Sequence, residues 1–208
     1  MKKTFYFLIS VLVSHFFLSH IVLADDSHLR DQILDNLAKQ PQKHFHFVQE
    51  KKLAMLDKPL ITEGELLLEQ NPPNSSNKNS NNNSNTVTWD IQKPYTLRYI
   101  LTPDTIREID AQGERTLQIG QNPIAAAMTQ AMTSTFSGQW KDNASLATIT
   151  ATGALSSWQL LITPQAAELQ PLIKTLAVTG NEGIITSIVI AETNGDSTTI
   201  HLQPLTSQ

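Results

Sequence analysis

The last third of the chain most constrains the fold. Five segments, LATITATG, WQLLIT, LIKTLAVTG, GIITSIVIAE and STTIHLQ, follow one another between Leu146 and Gln203, with apolar or β-branched residues recurring every second position. A two-residue period is the mark of an extended strand. The turns GNEG and TNGD, rich in residues that tolerate positive φ, join the later segments, and PQAAELQP reads as a short helical turn. This is a meander, which belongs to a curved antiparallel sheet or open barrel and not to parallel βαβ units.

Earlier segments read the same way. In ITEGELLLE, Glu63, Glu65 and Glu69 alternate with Gly64, Leu66 and Leu68, giving one wet face and one buried face. HFHFVQEKKLAM precedes it; TVTWD and, after Pro94, YTLRYIL follow, with Tyr95, Leu97 and Tyr99 on one face. TIREID, the turn AQGE and RTLQI make a hairpin. Two helices break the series. The first runs from Ser27, a possible cap, to Lys39, with Leu29, Ile33, Leu34 and Leu37 on one face and Pro41 as its stop. The second is NPIAAAMTQAMTSTF, Asn122 to Phe136. A curved sheet has a concave face that something must fill, so both helices are expected inside it or across its mouth. Residues 71–85, NPPNSSNKNSNNNSN, are a low-complexity polar loop from which nothing is expected to join a core.

The second helix is unusual. No charged side chain lies between Arg115 and Lys141, whereas a surface helix normally carries charge on its outer face. On a helical wheel Ile124, Met128, Ala131, Met132 and Phe136 form one face, and Thr129, Gln130 and Thr133 lie opposite. Met is a flexible filler that adapts to variable partners. Two readings follow from the residues: an ordinary core helix, or a lid over an apolar cavity that no salt bridge fixes in place.

Catalytic and metal-binding sets are sparse. The chain has no G-x-S-x-G, no H-E-x-x-H and no phosphate-binding glycine loop. His44 and His46 would point the same way on a strand, but further ligands are missing, so they read as solvent-facing. His201 on the last strand could pair with a serine, but no further residue completes a catalytic set, and Glu63 and Glu65 read as charged surface. The expectation is no enzyme, no metal and no cofactor.

The N-terminus, MKKTFYFLISVLVSHFFLSHIVLADD, has two lysines, a long apolar run and VLA before two aspartates, the layout of a secretory signal peptide cleaved after Ala24. Residues 25–208 would then be one domain in the periplasm. Without Lys2 and Lys3, thirteen Lys+Arg face nineteen Asp+Glu, a net charge of −6. Phosphate backbones need a basic surface, so nucleic acid is not an expected partner. With no cysteine there is no disulfide, no thiol chemistry and no lipidated cysteine at the new N-terminus.

From Phe45 to Leu202 the order and spacing of motifs resembles the periplasmic outer-membrane lipoprotein carrier (LolA) family, in a LolA-like branch. The residues that carry the resemblance are FVQEKKLAMLDKPLITEGELLLE (Phe47 to Glu69), then Pro72 or Pro73, VTWDIQKPY, NPIAAAMTQAMTSTFSG, WQLLITP and the NGD hairpin of IITSIVIAETNGDSTTIHL. The resemblance implies a mainly β fold: a strongly curved antiparallel sheet, an incomplete barrel, with helices forming a lid over an apolar cavity. It also implies a carrier, not an enzyme, which takes lipoprotein or lipid cargo from an inner-membrane transporter and passes it to an outer-membrane acceptor. On this reading the protein is a monomer and Ile124, Met128, Met132 and Phe136 belong to the lid helix. Strand alternation and helical face nominate Phe47, Leu66, Leu68, Trp89, Leu97, Tyr99, Met128, Met132 and Trp158 as cavity residues. The best-known carriers latch the lid with an arginine just before the proline after the second strand. Here that position is Asn71, which cannot supply a charged fork. The cargo is therefore open to alternatives, a glycolipid or a polyene instead of a lipoprotein. A lipid-sensing regulatory protein of the same fold is the other role; such sensors usually carry a further domain, so the length favours the carrier.

Overall fold

The structure is a computed structural model and describes residues 26–39, 42–71, 84–141 and 144–205. The expected signal peptide and most of the 71–85 loop lie outside the described residues. In chain order the elements are α1 (Asp26–Ala38), β1 (Gln42–Lys52), β2 (Leu60–Asn71), β3 (Ser84–Lys93), β4 (Leu97–Leu101), β5 (Thr105–Asp110), β6 (Gly113–Gln118) and a 3₁₀ turn (Ile119–Gln121). Then come α2 (Pro123–Ser137), β7 (Ala147–Ala154), β8 (Ser157–Pro164), β9 (Ile173–Asn181), β10 (Ile184–Glu192) and β11 (Ser197–Pro204). The expected turn after β8 is present as turns with no helix, and it buries Leu169.

The strands form one antiparallel sheet in the order β6-β5-β4-β3-β2-β1-β11-β10-β9-β8-β7. β1 lies near its centre, with Phe47 opposite Gly64 of β2 on one side and Leu202 of β11 on the other. The two edges are β6 and β7, which are consecutive strands in the chain and do not pair, so the barrel stays open. The segment linking one edge to the other contains α2. Fifteen residues of helix span about 22 Å, so this topology leads α2 across the opening of the sheet.

Alternation sorts each strand into two faces. Phe45 and Phe47, Leu66 and Leu68, Val87 and Trp89, Leu160 and Ile162, and Ile200 and Leu202 all point inward and share one core with Ile33, Leu34 and Leu37 of α1. The outer face carries the charge: Glu63 with Lys93, Glu65 with His44, Asp90 with Arg98. Gly64 sits at a bulge where β2 approaches β3, and a Cβ there would lie 1.9 Å from the Asp90 carbonyl oxygen. On the inner face the rings of Phe47 and Trp89 pack together, with centroids 4.8 Å apart.

Three local expectations change. α1 begins at Asp26, so Ser27 lies in its first turn and does not precede it. β4 begins at Leu97, which leaves Tyr95 exposed in the preceding turn and off the strand. Strands extend into both ends of the polar loop, and Asn85 does join the core: it has the inward parity of Val87 and Trp89, is buried, and donates from Nδ2 to Gln139 Oε1 at 2.8 Å.

Candidate functional site

Local chemistry defines both ends of α2. The Asn122 side chain accepts a hydrogen bond from Ala125 N at 3.0 Å, Pro123 supplies a first turn that needs no N–H, and Gly138 closes the helix in the left-handed conformation at φ 75°. A Cβ on Gly138 would lie 2.3 Å from the Leu34 carbonyl oxygen, so the end of α2 rests directly on the last turns of α1.

The lack of charge now has a physical reason. Ala127, Ala131, Ser134, Thr135, Phe136 and Ser137 are buried, so the C-terminal half of α2 has little outer face to charge, with Gln130 exposed and Thr133 half-buried. The N-terminal half differs. Ile124 and Met128 are 47% and 48% exposed, and they face an open cavity, not bulk surface. Thr129, expected on the wet side, is 5% exposed, and its Oγ1 has no hydrogen-bond partner among the described residues. Thr129 shares the cavity lining with Ala125, Met128 and Met132, so it lies on the inner side of the helix despite its hydroxyl.

That space, about 780 Å³, lies between α2 and the inner face of the sheet. Trp89, Ile91, Tyr99, Leu101 and Ile106 from β3, β4 and β5 form one wall. Ile190 and Ile200 from β10 and β11 form another, Leu172 and Ile173 stand beside them, and Met128 and Met132 cover the space from the helix. Burial raises the Tyr99 phenol above its usual range, and the neighbouring Glu108 carboxylate adds to this, so it stays neutral. One end of the cavity is polar, with Gln49, Lys51, Glu192 and Thr198.

The opposite end of β1 closes the bowl with a buried cation. Lys43 has the inward parity of Phe45 and Phe47 and is only 4% exposed. Its Nζ donates to the Leu37 carbonyl of α1 at 2.5 Å and to the Phe136 carbonyl of α2. Both carbonyls belong to final helical turns, whose dipoles end in partial negative charge and favour a cation. Burial lowers the Lys43 ammonium from 10.5 to about 8. One side chain thus ties both helix C-termini to the sheet. Asn71, the latch position named from the resemblance, ends β2, and its side chain lies outside the described residues.

The nominated residues divide into three groups. Trp89, Tyr99, Met128 and Met132, with Ile124, line the cavity. Phe47, Leu66, Leu68 and Phe136 are fully buried in the core and do not reach it, while Leu97 packs partly buried against that core. Trp158 belongs to another part of the sheet, where its ring lies against Gly180 and its Nε1 donates to the Glu182 carbonyl at 3.1 Å. His44 lies on the outer face, with Nε2 2.8 Å from Glu65 Oε2, and among the described residues no group of three His, Cys, Asp or Glu is placed to hold a metal ion.

A helix crossing an open antiparallel sheet, with an apolar space between them, can be compared with known proteins. The family described as outer membrane lipoprotein carrier protein LolA-like matches residues 24–204. This chain belongs to that family. Its members bind and carry rather than catalyse. No curated protein matches the LolA-like chain. Among solved structures, a DUF1329 family protein from Desulfovibrio piger ATCC 29098 is similar, with 10% identity and a TM-score of 0.51 over 86% of this chain and 91% of its own. The LolA superfamily protein NE2245 from Nitrosomonas europaea is 7% identical with a TM-score of 0.46, covering 88% and 94%. A chain of the Pseudomonas aeruginosa MucA/MucB complex is 8% identical with a TM-score of 0.46; 89% of this LolA-like chain aligns to 59% of it.

Proposed function

We propose that the protein is a periplasmic carrier, exported by a cleaved signal peptide, that shields an acyl chain of a lipoprotein or related amphiphile between inner and outer membrane. It would work as a monomer, receive cargo from an inner-membrane transporter and deliver it to an outer-membrane acceptor. The observation that carries this reading is the half-exposed pair Ile124 and Met128, which overhangs an apolar cavity of about 780 Å³. Large apolar side chains left unpacked above apolar walls suit a ligand that completes the packing.

The energetics suit a shuttle. Exposing a sixteen-carbon chain to water costs on the order of 12 kcal/mol, at about 0.8 kcal/mol per methylene. A carrier must offset most of that and still release its cargo. A loosely filled cavity does so better than a dense core. α2 is the lid: Lys43 and the contact at Gly138 hold its C-terminal end, while its N-terminal half lies over the opening.

Quenching of Trp89 by a sixteen-carbon chain brominated along its length, presented as an acylated peptide, tests the reading. Quenching is expected in the wild type and should disappear in Trp89→Phe, because the other tryptophans lie outside the cavity lining. Met128→Asp should lose the quenching and keep a folded sheet, since position 128 is half exposed. Absence of quenching in the wild type, or loss of the fold in Met128→Asp, would return α2 to the role of a core helix. A stable protein partner recovered with bound lipid would favour the sensing role instead.

A further inference from the structure

The polar end of the cavity has an ordered chemistry. β1 turns Gln49 and Lys51 inward with the parity of Phe47, and Lys51 is opposite Thr198 of β11. A register shift at the end of β10 brings Glu192 to the same place. Lys51 Nζ and a Glu192 carboxylate oxygen form an ion pair whose side chains are only 27% and 21% exposed. Thr198 Oγ1 donates to the same carboxylate oxygen at 3.3 Å. Both charges line the cavity, so a ligand lying there meets the pair.

Building on the carrier reading, we infer that this end of the cavity is a head-group site for a zwitterionic phosphoethanolamine head bearing one acyl chain. The pair Lys51 and Glu192 is neutral as a whole. A net anionic head drawn to Lys51 would leave the part-buried Glu192 carboxylate with the Thr198 hydroxyl but no cation, and a net cationic head would leave Lys51 without its anion. A zwitterion satisfies both: its phosphate accepts from Lys51 Nζ and the Gln49 amide, and its ammonium donates to Glu192, which Thr198 steadies. A methylene takes slightly less room than a water molecule, about 30 Å³, so sixteen carbons fill on the order of 450 Å³. The cavity of about 780 Å³ has room for one such chain and a head group.

Three probes with the same palmitoyl chain, titrated below their micellar concentrations into the full mature protein, test this: lysophosphatidylethanolamine, lysophosphatidylglycerol and monopalmitoylglycerol. The ethanolamine lipid is expected to bind at least about tenfold more tightly than either other probe, the factor for one charge-assisted contact. Glu192→Gln should remove its advantage over lysophosphatidylglycerol, and the reversed pair Lys51→Glu with Glu192→Lys should restore it. The reversed pair also serves if the single variant does not fold. Equal binding of all three probes, or tightest binding of the anionic one, would overturn the head-group site and leave the carrier reading standing. Failure of every probe to bind would remove the carrier reading and this inference with it.

Discussion

Replacing Lys43 with Met removes the cation that ties α1 and α2 to β1, and its effect should depend steeply on pH. Burial lowers this ammonium from 10.5 to about 8. In the unfolded chain the lysine keeps its proton up to about 10.5; in the folded protein it loses it from about 8. Between those values the unfolded state binds more protons, so the group makes the folded protein more stable as pH rises. Below pH 8 both states are protonated and the cost of burying the charge is fully present. At about 1.36 kcal/mol per unit, the 2.5-unit difference corresponds to roughly 3 kcal/mol. Against that cost stand the bonds to the Leu37 and Phe136 carbonyls, which Met leaves without a donor, at about 1–3 kcal/mol each. The two contributions nearly cancel at pH 7, so Lys43→Met should be close to wild type there. By pH 10.5 the variant should be the less stable by several kcal/mol. Urea unfolding of both proteins at pH 7, 8, 9 and 10.5, followed by tryptophan fluorescence, reads the difference, and the titrations of other groups cancel in it. A difference that stays flat across this range would show that Lys43 is solvated and does not hold the helices.

Other expectations are simpler. Gly138→Ala should destabilise the fold by more than about 1 kcal/mol, because a positive φ and the Leu34 carbonyl both oppose a Cβ; calorimetry showing an unchanged midpoint would contradict the packing of α2 on α1. Gly64→Ala should be at least as damaging, since its Cβ meets backbone and not a movable side chain. Met132→Asp should weaken acyl-chain binding about as much as Met128→Asp in the quenching assay, and equal binding by the variant would place the chain elsewhere. Deleting residues 75–84, in a segment rich in Asn and Ser, is expected to change neither the unfolding midpoint nor cargo binding; loss of either would give that segment a role.

Strand alternation made most of this fold legible. The meander from β7 to β11, the β5–β6 hairpin and the apolar face of α1 follow directly from residue spacing. The face of α2 that turns Ile124, Met128 and Met132 to the cavity also follows from the spacing; the burial of Thr129 does not, because a helical wheel does not show which other elements pack against the helix. The polar residues of the interior are more instructive. Lys43, Gln49 and Lys51 share the parity of Phe45 and Phe47, and Asn85 shares that of Val87, so the period that placed the aromatic residues inside also places these four. The habit of assigning lysine and asparagine to the surface hid them. Glu192 could not be read in this way, since the shift in pairing between Ala191 and Glu192 breaks the alternation just before it.

The central claim is that this LolA-like protein carries an acylated amphiphile in the space beneath α2. Purifying the protein from the cells that make it, extracting it with organic solvent and analysing the extract by mass spectrometry tests that claim directly. An acylated molecule in near one-to-one ratio with the protein, lost in Met128→Asp, is the predicted result. An extract free of lipid, from native and from crosslinked protein alike, would contradict it.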